Sequence, residues 1–140
     1  MNDTFDMTLL EADLTTDEGI RYKPYVDTTG NLTIGVGRNL TVNGITVGEM
    51  NLMLTNDIGM AVAGLDAHLS WWRDLDQPRQ RVMINLAFNM GVNELETFGT
   101  FLSLMQAKNY DGAANDLAGT LWYGQVGQRG ARMIARLRQP

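Results

Sequence analysis

The chain contains no cysteine, so no disulfide can staple it and no thiol can act as its nucleophile. It has one histidine, His68, which excludes a multi-histidine zinc site. It has no run of about 18 unbroken apolar residues, so no segment is expected to span or anchor in a membrane. Residues 1–16 carry four acids and no base, which predicts no secretory signal and places the chain in the cytoplasm where it is made. It also lacks a basic excess: the net charge is -5, a poor match to nucleic acid, whose phosphates must be neutralised by Lys and Arg. Two short patterns that resemble cofactor sites fail on inspection. In Asp27-x-Thr29-x-Asn31 the glycine comes too early for a calcium loop, and Arg38 occupies the closing glutamate position. Gly35-x-Gly37 is followed by Leu40 where a dinucleotide fingerprint needs glycine or alanine. No metal and no cofactor is expected. There is no internal repeat or low-complexity tract.

What remains is an ordinary soluble composition, 44% hydrophobic and 19% charged, in a length that suits one domain. The charge is uneven. The last 24 residues hold Arg129, Arg132, Arg136 and Arg138 and no acid. The outward members of that cluster read as a solvated helix face.

The informative stretch is Asp17–Gly37, DEGIRYKPYVDTTGNLTIGVG. Leu9, Leu10 and Leu14 give an apolar stripe on a first helix, with Thr8 and Glu11 at capping-box spacing and Gly19 as the expected C-cap. Glu18 then falls in the last helical turn. The negative end of the helix dipole disfavours charge on a carboxylate there. Tyr22–Val26 reads as a strand, Asp27-Thr28-Thr29-Gly30 as a turn and Leu32–Val36 as the return strand, with Asn43-Gly44 marking another turn. A sheet this small must lean on a helix. Thr46-Val47-Gly48-Glu49 is a capping box that opens a helix of about 22 residues, roughly 33 Å long. Trp71-Trp72 ends it, and Asp76-Gln77-Pro78 starts the next helix. Val82–Met90 is apolar on every side but those of Asn85 and Asn89, and Gly91 stops it. Helices over about 98–108, 111–121 and 127–137 complete the chain, the last with Met133, Ile134 and Leu137 on its apolar face. The tandem Trp71-Trp72 and Trp122-Tyr123 fit core packing better than sugar stacking.

Two carboxylates and a hydroxyl, Glu18, Asp27 and Thr33, are thus delivered by one helix end and one hairpin. Together they form the parts list for acid/base glycoside hydrolysis. Each has a plainer reading: Asp27 as an Asx-type turn former and Thr33 as an ordinary strand residue.

At Glu18-Gly19, Tyr25-x-Asp27, Gly30 and Thr33-Ile34-Gly35-x-Gly37 the chain resembles the phage-type lysozymes, the T-even-phage group in particular. The likeness continues through Phe88-Asn89-Met90-Gly91 to Trp122-Tyr123-x-Gln125-x-x-x-Arg129. It implies a mostly helical α+β, lysozyme-like fold of two lobes in one domain over 1–140. Residues 20–47 would form the small antiparallel sheet lobe, 47–69 the linking helix, and 1–19 with 70–140 the helical lobe. It implies a muramidase acting on the β-1,4 bond between N-acetylmuramic acid and N-acetylglucosamine. Glu18 would be the general acid, Asp27 the base or electrostatic partner, and Thr33 the group that positions water. Arg129 would pair with Glu18, and Asn89, Gln125 and Leu32 would support the substrate. Arg38 stands where the T-even group carries a histidine, and the segment after it is short.

For the acid role, the helix dipole and an opposing Arg129 push Glu18 in opposite senses, and the sequence leaves the balance open. A water held between Asp27 and Thr33 implies inversion, with the carboxyl groups about 6.5–9.5 Å apart; a gap near 5 Å would permit retention. The resemblance further implies a monomeric endolysin whose partner is the peptidoglycan glycan strand, released from the host cytoplasm to the periplasm and wall by a separate holin. Its alternatives are a virion-associated tail lysozyme and a catalytically inactive wall-binding module.

Overall fold

The computed structural model describes residues 4–140, so positions 1–3 of the expected 1–19 helical segment lie outside the described residues. Backbone contacts divide the chain into two units, Met1–Asn51 and Leu52–Pro140, with the boundary inside the longest helix.

In the first unit, helix α1 (Met7–Glu18) is capped by Asp6, whose side chain accepts from Leu9 N–H at 3.0 Å. The Thr8–Glu11 capping box does not form, because Thr8 already lies within the first helical turn, where it has no N-cap geometry. None of the α1 side chains is buried. Gly19 ends the helix with φ 74° and ψ 172°, its N–H donating to Thr15 carbonyl at 2.9 Å, a conformation essentially reserved for glycine that costs other residues about 1–3 kcal/mol. Strands β1 (Arg21–Val26), β2 (Leu32–Gly35) and β3 (Arg38–Asn39) form an antiparallel sheet in the order β1-β2-β3. The pairings Tyr25↔Thr33 and Val26↔Leu32 are in register, and a bulge separates them from Arg21↔Gly35. Pro24 sits in that irregular stretch of an edge strand, where a missing N–H breaks no ladder. Where the sequence suggested only a turn at Asn43-Gly44, a one-turn helix α2 (Leu40–Asn43) forms, with the Asn39 side chain accepting from Val42 N–H at 3.0 Å and Gly44 ending it at φ 57°. Thr33 is the one buried residue of Met1–Asn51 among the described residues.

Helix α3 (Val47–His68) starts as expected. Thr46 N–H donates to Glu49 Oε1 at 2.8 Å and Glu49 N–H donates to Thr46 Oγ1 at 3.2 Å, the reciprocal pair of a capping box. His68 at its end lies 3.0 Å from Glu96. A 3₁₀ turn (Ser70–Asp74) carries the tandem tryptophans, and Trp72 is buried with its indole N–H on Asp66 at 2.8 Å. Helix α4 (Gln77–Met90) is capped by Asp76, with proline in its first turn, and is ended by Gly91 at φ 83°. The remaining helices are α5 (Val92–Leu95), α6 (Gly99–Gln106), α7 (Tyr110–Ala118), α8 (Leu121–Val126) and α9 (Gln128–Leu137). The expected 111–121 helix stops early because Thr120 turns out of it and caps α8, its hydroxyl accepting from Tyr123 N–H at 3.2 Å.

The core lies in the second unit. Val82, Met83 and Leu86 of α4 meet Phe101, Met105, Leu117, Met133 and Leu137, all fully buried. Burying each such side chain contributes about 1.5–3 kcal/mol. Trp122 joins this core, as the packing reading of the Trp-Tyr pair required. Helix α9 packs closely because Gly130 leaves room for the Tyr123 ring; a Cβ there would stand 2.6 Å from it. The chain is therefore a mostly helical α+β protein with one small antiparallel sheet.

Candidate active site

The hairpin turn is built around the Asp27 carboxylate. Gly30 takes φ 83°, which lets the backbone close through Asp27 N–H to Asn31 carbonyl at 2.9 Å and Gly30 N–H to Asp27 carbonyl at 3.1 Å. Three donors converge on one carboxylate oxygen, Oδ1: Thr29 N–H at 2.9 Å, Thr29 Oγ1 at 2.8 Å and Asn31 N–H at 2.8 Å. Within the hairpin this leaves Oδ2 for water. The turn-forming and the chemical readings of Asp27 are thus compatible, because each uses a different oxygen.

The same donors favour the ionised form. Asp27 is held below its ordinary value of 3.8, first by the Asn31 N–H and then by the Thr29 hydroxyl, with partial burial opposing and the Thr29 N–H and Thr33 hydroxyl adding to the effect. A base in this state stays charged until the pH drops below the ordinary range and is lost as the pH falls through its lowered value. The acid limb of the activity profile is therefore expected below 3.8. Thr29→Val, which removes the hydroxyl donor, should move that limb upward in a kcat–pH measurement, and an unmoved limb would separate it from Asp27.

Thr33 lies opposite Tyr25 on one side and Asn39 on the other. It is 4% exposed, and its hydroxyl donates to Asn31 carbonyl at 3.1 Å. Although the Thr33 hydroxyl also contributes the smallest of the influences on Asp27, its hydrogen bond runs to Asn31. Having spent its proton there, the hydroxyl oxygen can only accept from a further partner. Leu32, beside Thr33, is 42% exposed and donates its N–H to Thr41 Oγ1 at 2.8 Å.

Glu18, the last residue of α1, is exposed, and its carboxyl lies against Gly37 of the β2–β3 turn. A Cβ at Gly37 would stand 3.0 Å from Glu18 Oε2 and 3.2 Å from Cδ. The first unit thus assembles the proton-bearing candidate, the hairpin acid and the hydroxyl on one helix end and one small sheet.

The other expected site residues belong to the second unit. Arg129 Nε donates to Asn85 Oδ1 at 3.1 Å. Together with Arg81 and Arg136 it lines an apolar depression of about 450 Å³. The Asn89 carbonyl oxygen accepts from the Trp122 indole N–H at 2.7 Å, which fixes the amide and leaves its NH₂ to donate elsewhere. Gln125 is exposed and, with Trp122, lines a cavity of about 430 Å³. Sequence reasoning missed Asn31 and Thr29, which hold Asp27; the Asp-x-Thr-x-Asn run was the signal, an Asx-type turn set by alternate oxygen-bearing side chains. Among the described residues, no cluster of His, Asp or Glu could hold a metal.

Comparison with known proteins identifies the family. The phage lysozyme family model matches residues 15–139. The chain is similar to "Probable T4-type lysozyme 1" of Dictyostelium discoideum, 27% identical over 85% of this chain and 87% of that protein. "Probable T4-type lysozyme 2" of the same organism is 28% identical over the same shares. Similarity to the "Pre-baseplate central spike protein Gp5" of Enterobacteria phage T4, 26% identical, covers 94% of this chain but only 28% of that longer protein. With nearly its full length matched, the chain belongs to the phage lysozyme family.

Proposed function

We propose that this protein is a peptidoglycan hydrolase, a glycosidase that cleaves the β-1,4 bond between N-acetylmuramic acid and N-acetylglucosamine with inversion. Family membership supports the hydrolase reading. The observation that supports the chemistry is at Asp27, whose Oδ1 takes three hydrogen bonds within the hairpin while Oδ2 takes none of them; in this reading a water donates to Oδ2 and to Thr33 Oγ1, whose own proton goes to Asn31 carbonyl. Glu18 donates its proton to the leaving oxygen, Asp27 takes a proton from the water, and Thr33 aims that water. Arg129, Asn89, Gln125 and Leu32 support the bound glycan.

Digestion of purified peptidoglycan, followed by borohydride reduction of the new ends and mass spectrometry, tests the bond and the reaction together. Hydrolysis at this bond gives muramitol ends. Glucosaminitol ends would place the cut at the other linkage, and 1,6-anhydro ends would mean internal attack with no role for water.

In the leading biological reading the enzyme is an endolysin, which accumulates in the host cytoplasm as a monomer and reaches the wall once a separate holin opens the membrane. The similarity to Gp5 favours a second reading, a virion-associated lysozyme. Mass spectrometry of purified virions separates the two, since only the second puts this chain in the particle. An inactive wall-binding module is disfavoured by the presence of Glu18, Asp27 and Thr33, and lysis of permeabilised Gram-negative cells would exclude it.

A further inference from the structure

The β2–β3 turn that supports Glu18 is held from its far side by an ion pair. Arg38, directly after Gly37, donates from NH1 to Glu49 Oε1 at 2.9 Å and from NH2 to Glu49 Oε2 at 2.7 Å, a two-pronged contact. Its NH1 also reaches Gly44 carbonyl at 3.0 Å. Glu49 is itself fixed by the capping box at the start of α3. The strand that carries Arg38 is only two residues long, Arg38–Asn39, and pairs with Ile34 and Thr33. Two ladder pairs tether a turn whose glycines, Gly35 and Gly37, take φ 69° and 75°. The guanidinium contacts add a second tether directly after that turn. Where the turn goes, the surface under the Glu18 carboxyl goes, because that carboxyl fills the space a Gly37 side chain would occupy.

We propose that the Arg38–Glu49 pair is a positioning device for the proton donor, setting the Gly37 surface against which Glu18 presents its carboxyl to the scissile oxygen. The inference rests on the reading of Glu18 as the acid. Both partners are partly exposed, with side-chain exposures of 36% and 41%, and pairs of this kind contribute little to global stability. Their value here is geometric. The pair also persists in acid: the Arg38 hydrogen bonds and the Thr46 cap bring Glu49 down to about 2.

The test compares Arg38→Met, Glu49→Gln, their double variant and Arg38→Lys with the parent and Glu18→Gln, using a defined peptidoglycan fragment. Misplacing a reacting group by about 1 Å can cost on the order of 100-fold in rate, and a turn that is loosened rather than lost should cost about tenfold in kcat. The expected result is that loss in both single variants, no further loss in the double, KM within about twofold, and an intermediate rate in Arg38→Lys, which keeps charge but not the fork. The acid limb of the kcat profile, which Asp27 sets, should stay in place. Full kcat in Glu49→Gln, or a loss of kcat that follows melting temperature from variant to variant, overturns the inference. An active Glu18→Gln would instead overturn the underlying reading of the acid, so the two failures are distinguishable.

Discussion

Glu18→Gln is expected to slow glycan cleavage by about 10²- to 10⁴-fold, the contribution of a positioned proton donor, with no change in melting temperature. Glutamine has the shape of glutamic acid and can pack on Gly37 in the same way, but it cannot release a proton to a departing sugar oxygen. The side chain is exposed at the end of α1, and surface replacements of this kind stay within about 0.5 kcal/mol. A turbidity assay on permeabilised cells and a thermal melt of the same preparation measure both halves. Parent-level lysis by Glu18→Gln would remove Glu18 from the mechanism.

The second large effect is on stability and lies far from the chemistry. Arg79 is 5% exposed near the start of α4. Its Nε and NH2 donate to Leu137 carbonyl at 3.2 and 2.7 Å, NH2 also donates to Gln139 carbonyl, and NH1 donates to Asp76 at 3.0 Å. The guanidinium also stacks 4.3 Å from the Tyr110 ring. One cation thus ties α4, α7 and the end of α9 together. Removing it leaves the buried Leu137 carbonyl without its side-chain donors, so Arg79→Ala should cost about 1–3 kcal/mol and lower the melting temperature by roughly 3–10 °C. Arg79→Lys should recover little, since an ammonium cannot serve that planar set of acceptors. An unchanged melting temperature would show that the contacts are incidental.

These two residues also show what a sequence can reveal. The place of Glu18 at a helix end was legible because its signal is local: a glycine one residue later ends the helix. The same holds for the Thr46–Glu49 capping box and the Asp76-Gln77-Pro78 start, where the hydrogen bonds formed are those that the spacing implies. Arg79 was invisible because its partners lie 58 and 60 positions away. Asn85 with Arg129 and Asn89 with Trp122 were hidden for the same reason, since only packing of α4 against α8 and α9 brings them together. At short range the errors came from competition between equivalent caps. Asp6 displaced Thr8, and Thr120 divided one expected helix into two. The role of Arg38 was obscured for a third reason: its pairing with Glu49 depends on how the short segment between β3 and α3 folds back, which residue types alone do not specify.

Inversion requires a water activated between Asp27 and Thr33 to attack the sugar from the face opposite Glu18. Following the first minutes of cleavage of a chitooligosaccharide or wall fragment by proton NMR reads the configuration of the new anomeric centre before mutarotation. The α-anomer is expected to form first from the β-linked substrate. A β-anomer as first product would mean a covalent or neighbouring-group route and would contradict water activation by Asp27.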